Sequence, residues 1–550
     1  MTHCADMLRA HDGKIAKLIE QQNLDQNDPR YGGVWFRSFH IEPRTCGFHL
    51  SEILWGYLTP QSRWYKDEKA AAAIKALLVY TKNHQRPDGC FDLSGCNFSS
   101  PPDTAFMVNC MLNGWWLLEK AEDADFDWLK KPMLDIMDKA ADGIAAGGFH
   151  TPNHRWAIAA CLLSLEKIFK REALGNRARQ YLNEGLDINE DGEFAERSSG
   201  GYNKVNDDQM IRLYLATGDK KFLEAAAANL EMMYYYFDPD NSIFTNNSTR
   251  QDMGRKSFAE GYYILYLLVG YLLGREDLGR MAGWLWKEAR GRGVTPTGIE
   301  WVLLMPEMDG WAEDDAFEPP VKEYNRLFPG SNIARIRKGN WSVSLLKGKA
   351  NFLYFQHKSF TVYAVIYSNL CDRRNFIPEV LEKTENGYIM KSRAESWYYL
   401  PYAEPPATSD WWAMDCPNTR ERINGVPLET TVEIVFQEDG VDLHLKTEGV
   451  DQLPLRMEFA FLPGGYVRTE HFVQNARAGE QINIIDGMVE ASSAKGETIV
   501  LGPAFSEHHN TGSSDKAYPL SDQHYTVYFT GYTPVEKVIQ LRAARKDRHI

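Results

Sequence analysis

Three short polar segments hold residue types that can move protons beside a carboxylate. TPNHRW, residues 151–156, sets an amide next to an imidazole at Asn153 and His154, with Arg155 following. RSSGGYN, residues 197–203, presents Tyr202 from a turn rich in Ser and Gly. NNSTR, residues 246–250, ends on Arg250. Amide, protonated imidazole and guanidinium groups all donate hydrogen bonds to a carboxylate and stabilise the dianion formed when the proton beside it leaves. A phenol has a reference pKa of about 10, which nearby cations lower, so a tyrosine can take up a proton and return it. Together these groups suit β-elimination in a uronic acid chain. The carboxylate is neutralised, a base removes C5–H, and an acid protonates the leaving oxygen.

Each residue also has a plainer reading. Pro152 fixes the chain's approach, and Asn153 can cap a helix that begins at about His154. Tyr202 can pack on a rim, and Arg250 can pair with a surface carboxylate. A second constellation offers different chemistry. Asp103 in SPPDTAF and Asp207 or Asp208 in YNKVNDD could form the carboxylic acid pair that glycoside hydrolysis requires. Asp103 could equally cap the helix TAFMVNCML.

These residues need a scaffold that brings them together, and the spacing of turns supplies one. Gly- or Asp-bearing turns end in a single apolar residue at Trp35, Phe91, Phe149, Phe194, Phe244 and Ile299, at intervals of 56, 58, 45, 50 and 55 residues. Two helices of about 15 to 20 residues plus their loops fill such an interval. Periods of this length mark stacked helical hairpins. Six units could form an incomplete or full (α/α) toroid; an open array is the alternative. Hairpins stacked in phase put equivalent turns on one face. The segments after them, 35–40, 91–106, 149–156, 194–208 and 244–250, then converge on one mouth. That placement predicts a cleft lined by Trp35, His40, Asn153, His154, Tyr202 and Arg250, with Arg155 and Asp103 also at hand for substrate.

From Phe48 to Arg290 the pattern is helical, as in DEKAAAAIKALLVYTKNH, DTAFMVNCMLNGWWLLEKA and RWAIAACLLSLEKIFKREAL. Beyond Ser331 it changes to short β-branched and aromatic runs, among them NWSVSLLKG, NFLYFQH and FTVYAVIYS, with a tight-turn signal in QEDGVD. Helices first and strands afterwards predict segregated domains. These are a toroid over 1–310, an acidic Pro-bearing linker over 311–330, and an antiparallel β-sandwich over 331–550. The formal net charge of -14 excludes a general nucleic-acid binder, although local Arg and His can still receive an anion. The eight Cys form no CxxC pair, which reads as reduced thiols. No apolar leader or membrane-length apolar run occurs, so the expected address is cytoplasmic, away from membranes.

Asn153-His154, then Tyr202 about fifty residues on, within a helical toroid followed by a β-sandwich, resembles the heparinase II/III-like polysaccharide lyases and the related toroidal alginate lyases. The resemblance covers nearly the whole chain in architecture and rests on a few short motifs. It implies that Asn153 neutralises the uronate carboxylate, that His154 neutralises charge or acts as base, and that Tyr202 is the catalytic acid or base. It also implies a cleft histidine from the early β domain. The nearest match is His357 in NFLYFQHKSF, although the His- and Gly-rich signature is absent and Lys358 follows. Several relatives hold a structural zinc in the β domain. Here no ligand spacing supports a metal beyond the pair His508-His509, and no cofactor is expected.

The expected activity is thus a carbon–oxygen lyase acting on an anionic polysaccharide or oligosaccharide. The alternatives are a glucuronidase-like hydrolase using Asp103 with Asp207 or Asp208, and a glycan-binding protein without catalysis. Unsaturated-glucuronyl hydrolases share the toroid but usually lack a large C-terminal β domain.

Overall fold

A computed structural model describes residues 3–35, 40–311, 317, 319, 321–369, 375–509 and 522–544. The segment Phe36–Phe39 in the first polar turn, and Cys371, lie outside the described residues. The chain divides into two compact units. The first runs to Tyr234 and resumes over Ile243–Pro319. The second joins Tyr235–Ser242 to the described residues beyond Pro319.

Among its described residues the first unit holds the helices α1 (His3–Glu20), α2 (Pro43–Leu58), α3 (Glu68–His84), α4 (Pro101–Ala121), α5 (Asp127–Ala146), α6 (Pro152–Phe169), α7 (Glu172–Leu182), α8 (Tyr202–Thr217), α9 (Lys221–Met233), α10 (Tyr263–Leu273), α11 (Glu276–Gly291) and α12 (Ile299–Leu304). Local chemistry sets their ends. Asp67 accepts a hydrogen bond from Ala70 N and caps α3, whose alanine run favours helix. The long helical run after Arg155 breaks where Lys170 enters the left-handed region at φ 56°, so it forms α6 and α7. Helices pair as α2–α3, α4–α5, α6–α7, α8–α9 and α10–α11, and the even-numbered members of these pairs pack on one another in succession. The sixth turn leads only into the six-residue α12, which packs with α1. The toroid is therefore five hairpins plus single helices.

The repeat is written in hydrogen bonds as well as spacing. Gln22 Nε2 donates to Gly32 O at 2.9 Å and to Ala73 O of α3 at 3.0 Å. One hairpin later Gln85 Nε2 donates to Gly89 O at 2.8 Å and to Ile136 O of α5 at 3.0 Å. Both turn glycines have positive φ, 88° and 91°, and a Cβ on either would sit 2.0 or 1.9 Å from a carbonyl oxygen of the next outer helix. In a later turn Asn229 of α9 donates to Gly192 O at 2.7 Å. Four of the six turn apolar residues, Phe91, Phe194, Phe244 and Ile299, are buried, whereas Phe149 is exposed.

The second unit is two β-sheets. One has eight strands in the spatial order Gln481–Asn483, Tyr525–Tyr532, Pro454–Phe461, Phe360–Asn369, Leu353–His357, Trp341–Leu346, Ile333–Lys338 and Glu323–Phe328. The other has nine and centres on Gly387–Tyr399, Arg422–Gln437, Gly440–Glu448 and Glu536–Ala543. Among the described residues the unit's strands pair antiparallel except Gln481–Asn483 with Tyr525–Tyr532, and one isolated parallel bridge joins Ser506 to Thr530. Val343, Phe355 and Phe459 from the first sheet share one core with Ile434, Leu443 and Leu541 from the second. The strand Glu323–Phe328 falls inside the stretch expected to be linker. Tyr235–Ser242 reaches the β unit because Arg335, wholly buried, gathers it. Its guanidinium bonds Asp238 Oδ1 at 2.8 Å, Tyr235 O at 3.1 Å, Tyr324 Oη at 2.9 Å and Ser344 Oγ. Among the described residues, no helix is long and apolar enough to cross a membrane.

Candidate active site

The first unit encloses a cleft of about 610 Å³. Its walls come from the start of α2 (Arg44, Phe48), from α4 (Asp103, Phe106, Asn109), from the start of α6 (Asn153, His154), from α8 (Tyr202, Asp208, Arg212), and from the loop carrying Arg250 and Gln251. The structure thus brings together Asn153, His154, Tyr202, Arg250 and Asp103 from segments separated by up to 147 residues in sequence.

One carboxylate ties two of these segments. Asp252 accepts from Ser198 Oγ at 2.8 Å, Ser248 Oγ at 2.6 Å and Gly200 N at 2.9 Å, while Ser198 Oγ accepts from Tyr202 N at 2.9 Å. The Ser-Gly turn is thereby fixed to the Arg250 loop. As a result, the Arg250 guanidinium lies over the Tyr202 ring, 4.7 Å from its centroid. The Tyr202 hydroxyl makes no hydrogen bond among the described residues.

Cations and carboxylates alternate around the cleft. Arg44 Nε lies 3.4 Å from Asp103 Oδ1, Arg212 Nε 2.7 Å from Asp208 Oδ2, and Arg250 Nε 3.4 Å from Glu196 Oε1. Arg212, nearly buried, also donates to Asn109 O and Asn113 Oδ1 and stacks on Trp301. Burial pushes the Cys110 thiol at the cleft wall up to about 12, which removes it as a thiolate nucleophile.

The helix starts differ from expectation in an instructive way. Pro152 is the first residue of α6 and Thr151 its cap position, so Asn153 sits inside the first turn and caps nothing. Its side chain instead donates to both oxygens of Glu196 at 2.8 Å, and its backbone N–H to Glu196 Oε2 at 3.3 Å. Likewise Ser100 caps α4 ahead of Pro101, and Asp103 Oδ2 accepts from Ser100 Oγ at 2.6 Å and Asn97 Nδ2 at 2.8 Å.

Other expected residues of the helical unit stand elsewhere. Arg155, one residue past His154 and so about 100° round the helix, pairs with Glu184 at 2.8 Å and Asp187 at 3.4 Å and is not among the cleft's lining residues. Trp35 lies under Arg30, and neither it nor His40 lines the cleft. Asp207 is fully buried, and among the described residues neither carboxylate oxygen has a hydrogen-bond partner. Burial and the adjacent Asp208 raise its pKa well above the ordinary carboxylate value. Neighbouring residues on a helix face different ways, and only Asp208 of this pair reaches the cleft. His357 belongs to the β unit, where its Nδ1 bonds Thr498 O at 2.8 Å and so joins one sheet to the other.

His508 Nε2 bonds Leu455 O at 3.2 Å, and His509 is exposed. Among the described residues, the group of three His, Cys or carboxylate side chains whose ligand atoms all lie within 4.8 Å of one another is Glu470, His471 and Asp486, all exposed in the β unit.

Glu196, Arg44, Arg212 and His150 went unnoticed in the sequence. The spacing of Asp208 and Arg212, four apart on one helix, was the available signal for Arg212. Glu196, between an Ala and an Arg in a turn, has none.

Burial, with His150, Arg250 and Arg44 nearby, lowers His154 to about 4, so at neutral pH it is an uncharged imidazole that cannot neutralise an anion by charge. The unfolded chain's histidine takes its proton near pH 6.5 while the folded one resists it to about 4. Its contribution to stability is therefore present above pH 6.5 and is lost as pH falls toward 4. The difference in Tm between pH 7 and about 4.5 should shrink in His154→Asn relative to the parent; an unchanged difference counts against this assignment.

No protein-family model matches the chain, and no curated protein matches it in sequence. Solved structures do match in fold. A Paenibacillus xanthan lyase aligns with 99% of this chain at TM-score 0.54 and 10% identity, the match spanning 57% of that lyase's length. A chondroitin AC lyase from Streptomyces coelicolor A3, solved with chondroitin sulphate, aligns with 98% of this chain and 80% of its own at TM-score 0.54 and 13% identity. A mutant heparan sulfate lyase HepC from Pedobacter heparinus aligns with 98% and 83% at TM-score 0.53 and 10% identity. The chain has a heparinase-like polysaccharide lyase fold, with helices in its N-terminal half and β-sheets after them.

Proposed function

We propose that the chain cleaves a uronate-containing glycan by β-elimination in the cleft of its helical unit. The observation that carries this reading is the Tyr202 phenol, open to the cleft and held beneath Arg250, with Asn153 and His154 on the facing helix. Arg250 supplies positive charge beside both the bound carboxylate and the phenol oxygen. His154 supplies an uncharged N–H donor or base. Tyr202 takes the C5 proton, the C–H electron pair becomes the C4=C5 double bond, the C4–O bond breaks toward oxygen, and that oxygen receives the proton. Donors aimed at the developing dianion, Arg250 among them, lower the barrier. The polysaccharides handled by the proteins of like fold support an anionic glycan as the substrate. No step calls for a metal.

The second reading is a glycoside hydrolase, favoured by the presence of Asp103 and Asp208 in the same cleft. Both carboxylates are already engaged, Asp103 by Ser100 and Asn97, Asp208 by Arg212 and Trp301. A panel of uronate polymers, followed by the ultraviolet absorbance of a 4,5-unsaturated uronate, separates the readings. A lyase produces the chromophore, a hydrolase releases reducing ends without it, and a glycan-binding protein does neither. Asp103→Asn should leave a lyase partly active and disable a hydrolase; loss of all cleavage in Asp103→Asn together with full activity in Tyr202→Phe would replace the lyase with the hydrolase.

A further inference from the structure

Asn153 lies at the cleft, but its amide is turned away from any ligand. Its Nδ2 carries two hydrogens and already faces three acceptors: Glu196 Oε1 and Oε2 at 2.8 Å each, and Thr151 Oγ1 at 3.3 Å. Its Oδ1, in a residue only 1% exposed, has no hydrogen-bond partner among the described residues. A carboxylate arriving in the cleft would therefore meet an amide whose donors are spent, backed by a second, buried carboxylate. Glu196 is itself 3% exposed.

We propose that Glu196 is a positioning residue that turns the Asn153 amide, and that binding of a uronate carboxylate in the cleft loads one proton onto Glu196. This rests on the lyase reading above. Ionised Glu196 accepts from the amide NH2 and holds it inward. Protonated Glu196 instead donates its O–H to Asn153 Oδ1, which satisfies that oxygen and turns both N–H bonds toward the substrate carboxylate. The proton comes from solvent on binding and returns on product release, so the elimination itself stays proton-neutral.

The surroundings favour such an exchange. Burial raises Glu196 above the usual carboxylate range, opposed by Asn153 and Arg250 and assisted by Asp187. Asp187 is paired with Arg155 of α6, and on the turn that carries Glu196, Glu193 lies 3.8 Å from Arg197. Arg250, at 3.4 Å, is thus the cation nearest Glu196 among its described ion pairs. A substrate carboxylate that engages Arg250 competes with Glu196 for that charge. Two carboxylates sharing one cation push one of them to take a proton.

Calorimetry of Tyr202→Phe, which is expected to hold substrate with little turnover, tests this. The probe is the uronate oligosaccharide that gives the ultraviolet product with the parent enzyme, titrated in two buffers of different ionisation enthalpy. Uptake of about one proton per ligand is expected near neutral pH, with affinity falling about tenfold per pH unit on the alkaline side. Tyr202→Phe combined with Glu196→Gln, whose side chain has no carboxyl group to take up a proton, should take up none and bind equally at about pH 6 and 8. Binding without proton uptake in Tyr202→Phe overturns the proposal while leaving the lyase reading intact. Uptake that persists with Glu196→Gln assigns the proton to His154 or His150 and overturns it as well. If no uronate is bound or cleaved, the lyase reading fails and this inference goes with it.

Discussion

Tyr202→Phe should lower turnover by about two to four orders of magnitude, equivalent to about 3 to 5 kcal/mol of barrier. The substitution removes one hydroxyl, and that hydroxyl has no hydrogen-bond partner among the described residues. The ring keeps its place beneath Arg250, 4.7 Å from the guanidinium. Folding stability should accordingly shift by no more than about 0.5 kcal/mol. Substrate affinity should change far less than turnover, because proton transfer is felt in the transition state. Steady-state kinetics on the polymer cleaved most readily, with circular dichroism to verify folding, provide the measurement. A Tyr202→Phe enzyme of undiminished kcat would remove the phenol from the chemistry.

Asp238→Ala should cost the β unit about 3 to 5 kcal/mol, the usual penalty for stranding a buried charge. Arg335 has no exposed side-chain surface, and Asp238 is its carboxylate partner at 2.8 Å. Ser342 Oγ also donates to Asp238 Oδ1 at 3.0 Å. Removing the carboxylate takes a charged partner from a fully buried guanidinium. Asp238→Asn keeps an acceptor in place and should cost less. Chemical denaturation, read on the transition that tracks the β-sheet signal, gives both values. A shift in Asp238→Ala below about 0.5 kcal/mol contradicts the role assigned to this pair.

The large architecture was legible because it is carried by periodicity. QEDGVD marks the hairpin between Arg422–Gln437 and Gly440–Glu448, and NFLYFQH contains the strand Leu353–His357. Evenly spaced turns revealed the stacked hairpins, although the sixth proved to be a single short helix. The recruitment of Tyr235–Ser242 to the β unit was not legible, since DPDN reads as an ordinary turn and its partner Arg335 lies about a hundred residues away.

At the cleft, the polar segments after the turns pointed to Asn153, His154, Tyr202 and Arg250. Sequence could not say which way each side chain points. Asn153 and Asp103 looked like helix caps, but a proline in each case starts the helix earlier, and that shift turns a cap into a first-turn residue. Asp207 and Asp208 are equivalent as letters and opposite in environment. Glu196 was invisible because its importance comes from burial against Asn153, which a lone acidic residue in a turn does not announce.

The clasps made by Gln22 and Gln85 bear on how such a fold endures while its letters drift. Each glutamine grips backbone carbonyls, those of Gly32 and Ala73 in one case and of Gly89 and Ile136 in the other. A carbonyl is present whatever side chain its residue bears. The joint between successive hairpins thus asks for one amide and one glycine and leaves the gripped helix free to change its side chains. The segments beyond the glycine, where substrate would be met, are under no obligation to hold the hairpins together. A ring joined in this manner can exchange the residues at its mouth for those of another specificity without surrendering its geometry, which is consistent with a shared fold at 10% to 13% identity.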